Sequence, residues 1–121
     1  MKEIIFLTNG SKVYPLDMEL SLSESNLIEQ VMVVGEGRSS MTALLVPSEA
    51  GRKLSEQKML AHMLTKLVGF PDYALPQKTT IINSEWTVAN DLLTPSLKIR
   101  RTKIAQAFAK EIEAMYADTA S

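Results

Sequence analysis

The chain has 121 residues, 45% of them hydrophobic and 22% charged, which suits one globular domain able to bury about two thirds of its unfolded surface and argues against disorder or a coiled coil. Its net charge of -1 gives no global field for nucleic acid or an anionic membrane, so such binding would need a local patch. Cysteine is absent, which excludes thiolate metal sites and cysteine nucleophiles.

The start, MKEIIFLTNG, is too short and interrupted for a secretory signal, and no apolar run approaches the roughly 18 residues of a membrane span. We therefore expect a soluble, cytoplasmic protein. Glu3 to Leu7 reads as a short strand that enters a tight loop at Thr8, Asn9, Gly10 and Ser11. Leu16, Met18, Leu20 and Leu22 alternate with polar residues as in a half-buried strand. Yet Pro15 suits a first helical turn, and Met18 and Leu22 lie four apart on one helical face. In VMVVGEGRSSMTALLVP, the β-rich runs Val31–Val34 and Met41–Val46 flank a loop of glycines and serines that exposes Arg38, the signature of a hairpin.

Leu60, Met63, Leu64, Leu67 and Val68 recur at helical spacing, with Ser55 as N-cap and Gly69 as stop, and predict an amphipathic helix. Phe70 to Pro76 is a connector, and the β-branched run Thr79–Ile82 predicts another strand. Ile104, Phe108, Ile112 and Met115 define one face of a last helix from about Arg101 to Tyr116, and a frayed tail follows over 117–121. The sum is one α+β domain over 1–121, a small antiparallel sheet with a β-hairpin, flanked by two or three helices.

The single histidine, His62, lies off the main apolar stripe with no carboxylate or nucleophile placed in the sequence to pair with it, which favours a structural or solvent-facing histidine over a catalytic one. No metal-ligand spacing, glycine-rich phosphate loop or G-x-S-x-G elbow occurs. On its own the sequence does not read as a complete enzyme. The basic run Lys98, Arg100, Arg101 and Lys103 has no aromatic platform beside it, so we expect no nucleic acid as partner.

Three segments in order carry a resemblance. NDLLTPSLKIRR, Asn90 to Arg101, resembles the C-terminal motif of the adenylate-forming, AMP-binding enzymes, especially the long-chain acyl-CoA synthetase branch, which reads close to N-G-L-L-T-P-T-L-K-hydrophobic-K/R-R. KEIIFLTNGSKVYPLDME, Lys2 to Glu19, resembles the hinge and following loop of that branch, and LIEQVMVVGEGRSSMTALLVP is similar to the sheet segment that comes next. The likeness also favours the helix over the strand for the stretch after Pro15.

The resemblance covers only the small C-terminal lid domain, so the expected partner is a large N-terminal adenylation domain or subunit, with an acyl carrier protein as a further candidate. It implies the lid of an acyl-adenylating ligase, inactive alone, in which Lys98 is the adenylation lysine, presented by a loop that Thr94 and Pro95 shape. Lys2 falls at the hinge, and Thr8, Asn9 and Gly10 form the thioester-step loop, where a glycine lets a pantetheine arm pass close to the backbone. Arg100 and Arg101 are candidates for a phosphate contact, and Glu19 for a structural partner of a backbone or basic group. ATP, magnesium and CoA or a pantetheine carrier are expected only with the large domain, and no resident metal is expected here. Asp91 stands where glycine is commonest, so its charge either shortens the reach of Lys98 or makes a turn. The segment between Pro47 and Leu75 is shorter than in many relatives. The alternative to a catalytic lid is an interaction module that keeps the fold without the chemistry.

Overall fold

A computed structural model describes residues 3–117, and Lys2, read from the resemblance as the hinge, lies outside them, as do residues 118–121 of the expected tail. The chain opens with a two-stranded antiparallel ribbon, β1 (Ile5–Phe6) and β2 (Lys12–Val13). Helix α1 (Pro15–Ser23) follows, with its proline in the first turn and with Met18 and Leu22 fully buried while Leu16 and Leu20 face outward. The four-residue spacing therefore decides this stretch over the two-residue alternation.

β3 (Ile28–Val34) and β4 (Met41–Pro47) form the expected hairpin, with Val31 opposite Leu45 and Val33 opposite Ala43. Helix α2 (Glu56–Lys66) comes next, its first turn capped by Ser55 Oγ, which accepts the Lys58 N–H. It leads to β5 (Pro76–Ile81), which pairs with β4 in parallel, so the three-stranded sheet is mixed. The parallel pairing is the geometric result of a connection that crosses one face of the sheet through a helix before the chain returns.

Layers of side chains explain why β4 reads MTALLVP. It is the central strand, and all seven of its residues are buried. Val31, Val33, Ala43 and Leu45 point into a core that they share with α1, α2 and the ribbon. Met32, Leu44 and Val46 point the opposite way, into a second core with Trp86 and the C-terminal helices. A strand covered on both faces has no solvent side to mark with polar residues.

Two details depart from the periodicity. The buried row of α2 is Met59, Met63 and Leu67, while Leu64 is at the margin and Val68 is 83% exposed. The helix ends at Lys66, and the row spaced by four that starts at Met59 is the one that meets the sheet. The last helix is broken at Phe108 (φ -114°, ψ 29°) into α3 (Arg101–Ala107) and α4 (Ala109–Ala117). Helical hydrogen bonds continue on both sides of the break, since Phe108 N–H still donates to the Ile104 carbonyl and Ile112 N–H to that of Phe108, each at 3.0 Å. Ile104, Ile112 and Met115 are buried as the spacing predicts, and Tyr116 joins them.

Candidate functional site

The stretch ahead of α3 is a closed loop built from its own backbone. Leu93 pairs with Ile99 in an antiparallel bridge, and Arg100 N–H donates to Leu92 at 2.9 Å. Inside that bridge Thr94 N–H donates to the Lys98 carbonyl and Leu97 N–H to the Thr94 carbonyl, both at 2.8 Å. Thr94 Oγ1 accepts the Lys98 N–H at 3.1 Å and lies 3.1 Å from Ser96 Oγ. Asn90 fixes the base, since its Oδ1 accepts the Thr87 N–H at 2.9 Å and its Nδ2 donates to the Glu85 carbonyl at 3.0 Å. Thr94 thus ties the loop together, and Lys98 stands exposed at its rim. Among the described residues its ammonium has no hydrogen-bond or ion-pair partner.

The neighbouring cations are disposed differently. Arg100 pairs with Asp91, and Lys103 Nζ lies 3.4 Å from the second oxygen of the same carboxylate. Asp91 has a left-handed backbone (φ +68°), which accounts for a position where glycine is common, and it serves the turn and two cations. Arg101 reaches inward. Its guanidinium grips Glu19 with two bonds of 2.8 and 2.9 Å, contacts Glu3 through Nε, and approaches the Val33 carbonyl at 3.4 Å. Glu19 accepts the Val33 N–H at 2.8 Å as well, so it is the structural partner expected of it. Burial alone would lower the Arg101 pKa, but Glu19 and then Glu3 outweigh it, and the pKa is raised. The phosphate role read for the two arginines therefore meets a competing use of their donors. Arg101 is committed to Glu19 and Glu3, and Arg100 to Asp91.

Thr8, Asn9 and Gly10 form the exposed loop of the β1–β2 ribbon. Asn9 Oδ1 accepts the Ser11 N–H at 3.0 Å, and Gly10 N–H donates to Leu7 at 2.9 Å. Gly10 has φ +86°, a conformation that favours glycine, and a Cβ there would meet nothing within 4 Å, so its outer side is open. The hairpin tip holds this loop from behind. Thr8 N–H donates to the Arg38 carbonyl and Gly37 N–H to the Phe6 carbonyl, each at 3.0 Å.

Arg38, read from the sequence as simply exposed, is half-buried. Its guanidinium lies 4.4 Å over the Tyr116 ring and pairs with Glu113. The Tyr116 hydroxyl donates to the Ser40 carbonyl at 2.7 Å and accepts from Thr42 Oγ1 at 3.2 Å, and burial raises its pKa. Sequence reasoning missed this clamp on the ribbon loop because it joins residues more than seventy positions apart. Among the described residues no hydrogen bond or ion pair joins the Lys98 loop to the Thr8–Gly10 loop directly.

His62 is not as isolated as its place in the sequence suggested, because the fold brings Ser25, 37 positions away, to it: Nε2 lies 2.6 Å from Ser25 Oγ, which also accepts the Leu27 N–H. Among the described residues no group of three His, Cys, Asp or Glu side chains could hold a metal ion, and no helix is long and apolar enough to cross a membrane.

A three-stranded sheet covered on both faces by helices, with a separate two-stranded ribbon, defines a small α+β domain that carries the Lys98 loop and the Gly10 turn at its surface. The sequence matches the family described as AMP-binding enzyme C-terminal domain over residues 2–120, and the chain belongs to that family. It is 29% identical over 126 residues to the long-chain-fatty-acid–[acyl-carrier-protein] ligase AEE15, chloroplastic, of Arabidopsis thaliana, covering 95% of this chain and 17% of that protein. To the long-chain-fatty-acid–CoA ligase FadD15 of Mycobacterium tuberculosis it is 31% identical over 136 residues, covering 95% and 23%. The fold superposes on the A domain of the carboxylic acid reductase of Segniliparus rugosus with a TM-score of 0.87 at 24% identity, covering 97% of this chain and 20% of that one. The chain thus spans about a fifth of the length of the proteins it matches.

Proposed function

We propose that this chain is the lid of an acyl-adenylating ligase of the acyl-CoA synthetase type, acting on a large ATP-binding domain, fused or separate. In the first half-reaction an acid's carboxylate oxygen attacks the α-phosphorus of ATP, forming the acyl-adenylate and releasing pyrophosphate. Lys98 would extend its ammonium to the carboxylate and α-phosphate oxygens where negative charge concentrates. A compact cation on a flexible stem is effective in a site closed to water. In the second half-reaction a pantetheine thiol, common to CoA and to acyl carrier proteins, attacks the acyl carbonyl and AMP leaves. The Thr8–Gly10 loop would line the thiol's path, with Lys2 as the hinge between the two orientations. ATP and magnesium belong to the large domain in this reading, and no step here passes through the metal.

The observation that carries the reading is the unpaired state of Lys98 beside cations that are all engaged. An ammonium held out by a hydrogen-bonded loop, with no partner among the described residues, is available to an anion on another domain. The test mixes or fuses the chain with its large domain and follows acid-dependent pyrophosphate exchange. Lys98→Ala should lower the exchange by about 10²- to 10³-fold, the range for losing one preorganised charge-stabilising group. A mixture that adenylates no acid, or exchange unchanged by Lys98→Ala, rejects the catalytic lid and leaves the interaction module.

A further inference from the structure

We propose that Leu97 is a positioning residue that seats the Lys98 loop by placing its side chain in an apolar pocket of the large adenylation domain. The inference rests on the lid function above. Leu97 has φ +68°, a conformation that a Cβ-bearing apolar residue rarely adopts, and its side chain is 69% exposed. It belongs to neither hydrophobic core. Within this domain, then, the residue combines an unfavourable backbone with an unfavourable exposure. Glycine or asparagine would form the same turn more easily.

The loop is not loose, because the 2.8 Å bond from Leu97 N–H to the Thr94 carbonyl and the bonds that follow hold that backbone in place. What the left-handed residue achieves is to turn the leucine side chain out of the domain immediately before the free lysine. The occupant we assign is the large domain. The matched region makes up only 17% and 23% of the two ligases named above, so most of each of those proteins lies outside this domain. A lysine that must enter a water-poor site there brings its neighbour with it. An apolar neighbour is desolvated at that surface with a gain, whereas a polar one would lose its water.

The experiment compares Leu97→Gly, Leu97→Met and Lys98→Ala in the ligase carrying its large domain. Three quantities are read: pyrophosphate exchange at saturating ATP and acid, thiol transfer from supplied acyl-adenylate, and the melting temperature of the chain itself. Leu97→Gly should lower exchange about tenfold or more, leave thiol transfer within about twofold, and leave the melting temperature equal or higher. Leu97→Met, which keeps the apolar reach, should retain exchange within about threefold. A merely structural role would lower all three quantities together, and that result overturns the proposal. Normal exchange in Leu97→Gly with exchange lost in Lys98→Ala overturns the anchor while the lid function stands. Normal exchange in both variants removes the lid function and the anchor with it. Light scattering on the chain covers the other occupant: a dimer abolished by Leu97→Gly, with exchange intact, also counts against the proposal.

Discussion

Arg100 and Arg101 are adjacent and chemically identical, yet the structure predicts a large difference between them. Arg101 is 19% exposed at its side chain and its main partner Glu19 10%, whereas the Arg100–Asp91 pair is 39% and 57% exposed. Removing one partner of a buried pair strands the other charge and costs about 3–5 kcal/mol. Glu19 keeps one backbone donor, Val33 N–H, so we place Arg101→Met at the low end, about 3 kcal/mol. Arg100→Met breaks only a solvated pair and should cost about 0.2–1 kcal/mol. At about 4 °C per kcal/mol for a domain of this size, the melting temperature should fall by about 12 °C for Arg101→Met and by at most about 4 °C for Arg100→Met. Urea unfolding of the two variants checks the ratio. Glu19→Gln placed in the Arg101→Met background should recover part of the loss, because it neutralises the stranded charge. Equal costs for the two arginines, or a loss below about 1 kcal/mol for Arg101→Met, would refute the buried network as the strut between α1, β3 and the Lys98 loop.

Lys98→Ala should leave the unfolding free energy of the chain within about 0.5 kcal/mol, as measured by urea titration, because an exposed and unpaired side chain carries no packing. Gly51→Ala should destabilise by about 1–3 kcal/mol in the same titration, since its Cβ would come 2.0 Å from the Leu27 carbonyl oxygen, which is backbone and must move. Ser25→Ala leaves the Leu27 N–H without its acceptor and His62 Nε2 without its partner, and should cost about 1–3 kcal/mol. Tyr116, whose pKa is raised above 10.0 by burial, contributes stability that is fully present below pH 10 and is lost as pH rises through the folded pKa. Alkaline unfolding followed by tyrosinate absorbance should therefore lose part of its pH dependence above pH 10 in Tyr116→Phe.

Local patterns were legible where one chemical preference dominates. Ser55 announced the α2 cap and the paired apolar runs the β3–β4 hairpin, because each is decided by neighbours in sequence, whereas after Pro15 two periodicities competed and the family resemblance helped to favour α1. The parallel placement of β5 and the break at Phe108 were not legible. Parallel pairing follows from how a long connection crosses the sheet, and no proline or glycine marks the break. The rotated face of α2 has the same origin, since Leu64 and Met63 are equally apolar and only the sheet selects the row beginning at Met59.

The candidate site divides in the same way. Its residue types were visible in NDLLTPSLKIRR, but the commitments of its charges were not, because the partners lie far off in sequence: Glu19 is 82 positions from Arg101, and Glu3 is 98. Those distant carboxylates separate the roles. Positive charge ahead of a helix is mildly unfavourable there, and each arginine offsets this with an acid of its own domain. Among the described residues Lys98 is left without one, and Thr94 turns its hydroxyl to the backbone of the loop that holds the lysine out. Stability alone would favour a carboxylate beside Lys98 as well. An ammonium with no acid beside it, on a hydrogen-bonded mount next to an exposed leucine, is what a domain needs if its anion arrives on another surface, so the one cation of the motif that its own carboxylates leave uncommitted is the one with the strongest claim to function.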